Sequence, residues 1–189
     1  MMLVAALGLL GSLSLSQLSA QSVERAERRE VQAAEDMAAF NQAVQAIKDQ
    51  NFVLEATQVQ FGAGRSIYVV SQNNYVLMDG SKAMVQLAFN NGNPGLNGAG
   101  GITIAGQVSN IKMRTSKKGN ISYQFNINGN GMSGTVVINL AYGNSFGTAN
   151  VTSTFNNSQV TFRGNIIPGS QSNVFKALPF QNIPVGLMP

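Results

Sequence analysis

Three stretches of this chain carry groups that chemistry could use, and each lacks a partner. Gly131-Met132-Ser133-Gly134 has the outline of a nucleophile elbow. That motif needs a helix after the serine and an imidazole base elsewhere, and the chain contains no His. Glu55 and Asp79 are the only carboxylates after Asp49. Asp79 is assigned to a turn, so the paired carboxylates of glycoside hydrolysis are missing, and no loop gathers the several carboxylates that calcium needs. The third stretch, Asn90 to Gly101, holds five glycines whose amides could form an anion nest. It lacks the Lys-Ser/Thr of a phosphate loop, and no helix follows it. It reads as a long connection that could serve as a binding lip at a barrel mouth. No catalytic, cofactor-binding or metal-binding residue is expected, and no ligand-binding residue is assigned.

With no Cys, the chain has no disulfide, no thiolate metal site and no lipid-anchored cysteine. The formal charge of +4 is segregated. Glu24, Glu27, Glu30, Glu35, Asp36, Asp49 and Glu55 precede residue 56, whereas Arg65, Lys82, Lys112, Arg114, Lys117, Lys118, Arg163 and Lys176 follow it. The basic residues are scattered near turns and do not interleave with aromatics, so no nucleic-acid partner is expected.

The elements that must position any site come next. Residues 1–20 have an apolar run, Leu3 to Leu10, followed by small and serine residues, the shape of a secretory signal peptide; a buried N-terminal helix is the alternative. After removal of such a leader the protein is not expected to span a membrane. Residues 21–51 form an N-terminal unit with a helix over 23–50, capped by Ser22. Met37, Phe40, Val44 and Ile47 follow a three/four spacing, so the second half should dock while Glu24 to Glu30 stay in solvent. The apolar pattern is too short for a coiled coil.

From Phe52 the apolar period becomes two, and 52–189 reads as one antiparallel β-domain with an irregular tail. Strands are expected at Phe52–Phe61, Ser66–Val70, Tyr75–Met78, Ala83–Asn90, Ile102–Thr115, Ile121–Asn128, Thr135–Ala141, Gly147–Phe155 and Gln159–Ile166. Asp79-Gly80 signals a type I′ hairpin, and Gly106 signals a bulge or sharp bend. Hairpin-length connections without helices mean a sandwich or barrel, and a meander of about eight strands can close and lose its edges. The expected fold is mainly β: an up-and-down barrel preceded by one N-terminal α-helix. In the tail, Phe175, Leu178, Phe180 and Ile183 are apolar enough to pack on it.

Phe52–Ala56, Asn93–Thr103, Gly106–Lys112, Lys117–Asn120 and Ser172–Lys176, in this order after a leader and an Ala/Glu/Arg helix, resemble the exported bacterial family called domain of unknown function 4251. The resemblance runs over most of residues 25–177. It implies a lipocalin-like β-barrel in the cell envelope or periplasm. It implies no activity, so no catalytic residue carries over.

Two functions are then open, and an enzyme is a distant third. One is a non-enzymatic binder of a small apolar or amphipathic ligand; the other is a structural or protein-interaction module of the envelope with a solid core. Large inward candidates (Phe89, Tyr123, Phe125, Phe155, Phe162) mix with small ones (Ala83, Gly106, Ala149, Gly164). That mix suits an interior full at one end and open at the other, with Asn90–Gly101 as a lid.

Overall fold

Ala, Glu, Arg and Gln favour helix strongly enough to carry one beyond the residues that dock. The computed structural model describes residues 10–62, 64–88, 101–129, 132–154 and 157–174, with the side chains of 10–20 and of Arg65 left aside. Helix α1 spans Leu10–Lys48. Ser22 therefore lies inside the helix and caps nothing, because helical backbone continues on its N-terminal side. The helix stops at Lys48, and Gln50 takes a positive φ of 54° as the chain enters the first strand.

Residues 21–35 of α1 are exposed throughout, a length of about 22 Å at helical rise. Glu24 and Arg28 pair at 2.7 Å on this segment. Its continuation docks as the spacing requires: Phe40 and Ile47 are buried with Ala43 and Ala46, while Met37 and Val44 are half-buried against the same core. Burying Phe40 and Ile47 contributes roughly 1.5–3 kcal/mol each, which fixes the helix to the strands.

The strands are β1 (Asn51–Phe61), β2 (Arg65–Tyr68), β3 (Tyr75–Asp79), β4 (Lys82–Ala88), β5 (Gly101–Thr115), β6 (Ile121–Gly129), β7 (Ser133–Leu140), β8 (Phe146–Ser153) and β9 (Gln159–Pro168). Each pairs antiparallel with its neighbours in the order β2-β1-β3-β4-β5-β6-β7-β8-β9, and β9 returns to β1. Since β2 pairs only with β1, eight of the nine strands close the ring. The barrel is the up-and-down one that the alternating strands require. β2 and β3 share one flank of β1, β3 along Asn51–Glu55 and β2 along Gln58–Phe61. Between them a 3-10 turn, Ser71–Asn73, leads to the buried Asn74. Asn74 joins three segments: its carbonyl accepts from Ala56 N, its Nδ2 donates to Val70 O and its Oδ1 accepts from Ala88 N.

Three local expectations are corrected. Asp79 pairs with Lys82, so the two-residue loop is Gly80-Ser81 rather than Asp79-Gly80. Only Gly80 has a positive φ (57°), the requirement of a type II′ loop and not of type I′. The bulge in β5 is not at Gly106. It lies between Ser109 and Lys112, where Asn110 adopts a φ of 53° and two residues face Phe125 alone. Gly106 answers a different demand: it pairs with both Ala83 and Gly129, and a Cβ there would stand 2.1 Å from Asn128 O. Third, β2 ends at Tyr68, two residues short of Val70.

The inward faces make one core, with Phe52, Tyr123 and Phe125 at its centre. Phe52 meets Tyr123 edge-on at 5.9 Å, and Tyr123 meets Phe125 at 5.8 Å. A second, smaller cluster lies outside the ring: Val53, Tyr75, Leu77 and Met84 are buried there against Val174. Ser172 Oγ, beside it, donates to Glu55 Oε1 at 2.7 Å. The tail therefore packs on the barrel as far as Val174; Phe175, Leu178, Phe180 and Ile183 lie outside the described residues.

Candidate functional site

The two ends of the barrel differ. At one end α1 contacts β9 and β1, and Phe40 sets its ring edge-on to Tyr142 in the β7–β8 turn, centroids 5.2 Å apart. This end is filled by the helix and by the Phe52–Tyr123–Phe125 aromatics. The cleft beside it, lined by Arg114, Ile121, Asn139 and Phe146 among others, draws residues from both sheet faces and is a surface groove between two hairpins.

The other end is open. A cavity of about 260 Å³ enters the barrel there. Among the described residues its wall is Val85 and Leu87 of β4, Ile102 and Ile104 of β5, Val151 and Ser153 of β8, Val160 and Phe162 of β9, with Met132 and Ser158 at the turns. Each wall position on a strand is the inward member of an alternating pattern, so apolar residues line the hole for the same reason that they fill the core. Ile102 points inward yet is 43% exposed, and Met132 is 39% exposed, because both stand at the rim. The rim is tied by backbone bonds: Ser153 N donates to Ser158 O, Gly62 N to Gln159 O, and both the amide and hydroxyl of Thr154 to Ser133 O. These bonds hold the wall without help from the cavity contents.

The cavity does not follow the expected mix of sizes: of the described inward candidates only the large Phe162 lines it, and Ala83, Gly106, Ala149 and Gly164 are not among its described wall residues. Tyr123, Phe125 and Phe162 are buried, as are Ala83, Ala149 and Gly164, and Gly106 is half-buried. Phe89 and Phe155 lie outside the described residues. So do residues 90–100 of the glycine-rich connection, while Gly101 opens β5. Leu87 and Ile102, which flank that connection, both line the cavity.

The other sequence candidates are placed apart. Ser133 begins β7, so a strand and not a helix follows the elbow-like tetrapeptide. Glu55 faces the tail through Ser172, and Asp79 accepts from Asn51 Nδ2 at 3.5 Å at the helix end. Among the described residues no cluster of three or more acidic side chains could hold a metal ion. Apart from Phe162, the wall residues were not singled out by sequence, since Val85, Ile104 and Val151 carry the same signal whether they face a neighbour or a void.

A closed eight-stranded up-and-down antiparallel barrel, with one helix across an end and an apolar hole at the other, is a lipocalin-like barrel protein. Residues 34–166 match the sequence profile described as Domain of unknown function (DUF4251). The chain belongs to that family. It is similar to a DUF4251 family protein from Bacteroides eggerthii DSM 20697 seen by crystallography, with 42% sequence identity, a TM-score of 0.67, and coverage of 76% of this chain and 96% of that one. No curated protein matches the chain. Among the described residues no helix is long and apolar enough to cross a membrane.

Proposed function

We propose that the protein is a non-enzymatic binder of a small apolar or amphipathic ligand, exported to the cell envelope or periplasm. The cavity carries this reading. At about 260 Å³ it lies between the ~150 Å³ that holds a benzene ring and the ~300 Å³ where drug-sized sites begin. Among the described residues its wall is aliphatic and aromatic apart from Ser153 and Ser158, which favours removing an apolar molecule from water. Export is supported by the leader-like composition of residues 1–20.

The test of binding is native mass spectrometry on protein purified without denaturant. A retained apolar molecule, or a mass shift on adding amphiphiles, is the expected result. A clean apo mass that no amphiphile shifts overturns it. Export is tested separately: the mature chain should begin near Gln21, and an intact Met1 on the folded protein in the cell would count against it.

One observation favours a second reading, an interaction module. Fifteen consecutive helical residues, 21–35, are exposed. If the cavity binds nothing, this projecting segment is the surface that remains for a partner in the envelope.

A further inference from the structure

We propose that the groove between the β5–β6 and β7–β8 hairpins is a second binding site, independent of the cavity, and that it takes an acidic sugar: a pyranose ring bearing a carboxylate.

Strand pairing sets the polar side of this groove. Arg114 of β5 pairs with Ser122 of β6, Ser122 with Asn139 of β7, and Asn139 with Thr148 of β8. The four stand side by side on the outer face, in a row about 14 Å long at the usual strand spacing. Phe146 lies two residues before Thr148 on the same face of β8 and is 48% exposed. All five line the groove, whose volume is about 630 Å³. That is within the range of small-molecule sites.

The polar groups of this row are unpaired. Elsewhere on the outer face, side chains satisfy one another. Asn128 Nδ2 donates to Ser109 Oγ at 2.8 Å, Thr135 Oγ1 to Asn126 Oδ1 at 3.1 Å, and Thr161 Oγ1 to Asn150 Oδ1 at 2.7 Å. Among the described residues, the side chains of Arg114, Ser122, Asn139 and Thr148 make no hydrogen bond and no ion pair. An amide and two hydroxyls in one row offer donors and acceptors together, as a ring of hydroxyl groups requires.

The charge beside the row has one sign. Lys112 stands two residues before Arg114 on the same face, and Lys117 and Lys118 are in the adjoining turn. Residues 80–189 contain no Asp or Glu, so no carboxylate from this part of the chain competes for Arg114. A planar guanidinium holds a carboxylate through two parallel hydrogen bonds. Phe146 adds the remaining contact, because the C–H face of a pyranose is apolar and leaves water against an exposed ring. A simple anion would use Arg114 alone, and a neutral sugar only the row and the ring. An acidic sugar uses all three.

The experiment is a titration of the full chain with glucuronate, glucose and acetate at about pH 7, where both acids are ionised. It is followed by the amide resonances of Ser122, Asn139 and Thr148, with the methyls of Val85 and Val151 reporting on the cavity. Glucuronate should shift the groove signals saturably and leave the cavity methyls still. It should bind about three- to fivefold more tightly than glucose, the scale of an exposed ion pair, and acetate should not saturate. Glucuronate that shifts no groove signal overturns the site. Glucose binding as tightly as glucuronate overturns the role of the carboxylate, and acetate binding as tightly overturns that of the ring. Two variants at exposed positions isolate the causes. Arg114→Gln should bring glucuronate down to the affinity of glucose, and Phe146→Ala should weaken both sugars together. An unchanged preference for glucuronate in folded Arg114→Gln would count against the inference.

Discussion

The hydroxyl of Tyr123 lies 3.3 Å from the sulfur of Met78, so a buried phenol in the centre of the barrel donates to a thioether. The sulfur is a weak acceptor, and among the described residues no cation stands by to stabilise a phenolate. Burial accordingly raises the Tyr123 pKa above its ordinary value of 10.0.

That shift sets a pH dependence. The native state keeps the proton while the unfolded chain gives it up near pH 10. The contribution of Tyr123 is therefore fully present below about pH 10 and is lost as pH rises from there through the higher folded pKa. Denaturant midpoints measured across the alkaline range should fall less steeply for Tyr123→Phe than for the natural chain. Parallel curves for the two would contradict a buried, proton-holding phenol.

Helix docking separates two substitutions on one element. Phe40→Ala empties a core position and should lower stability by roughly 3 kcal/mol or more. Arg28→Ala removes an exposed pair with Glu24, both side chains mostly in water, and should change stability by less than about 1 kcal/mol. Urea unfolding of both variants is the check, and a silent Phe40→Ala would mean that the helix does not hold the barrel end.

Two glycines should differ for separate physical reasons. Gly106→Ala forces a methyl group into backbone, with Asn128 O only 2.1 Å from the new carbon, and should cost about 2 kcal/mol or more as the strands part. Gly80→Ala meets no atom within 4 Å and suffers only from its positive φ, a cost of about 1 kcal/mol. Thermal melts of the pair should rank them in that order.

Filling the cavity tests the site without dismantling the fold. Val151→Phe projects into empty space rather than into packed neighbours, so it should cost no more than the ~1–3 kcal/mol typical of core overpacking. Ligand retention in native mass spectra should disappear. Phe125→Ala, deeper in the barrel, should change which molecule is retained; its own destabilisation, about 3–5 kcal/mol, is measured alongside. Val151→Phe that retains the same ligand mass as the natural chain would place the ligand elsewhere.

The barrel was legible because its strands obey one local rule. Ile121, Tyr123, Phe125 and Ile127 alternate with polar neighbours, and every later strand repeats the pattern, so fold class follows from side-chain period and turn chemistry alone. The docked stripe of Phe40, Val44 and Ile47 was legible for the same reason, as was the lack of His and Cys that removes whole classes of chemistry.

The tertiary structure decided what depends on residues distant in sequence. β1 carries one extra residue, Thr57, where its pairing with β9 slips between Ala56 and Gln58. The inward set therefore changes parity from Phe52, Leu54 and Ala56 to Val59 and Phe61. Nothing in FVLEATQVQF announces this, because the slip is set by the partner strand. The same holds for the bulge opposite Phe125, for the II′ loop at Gly80-Ser81 and for the closure of β9 on β1. It holds above all for the cavity. Val85, Ile104 and Val151 are core residues by every local measure, and only the three-dimensional shortage of side-chain volume between them leaves a hole.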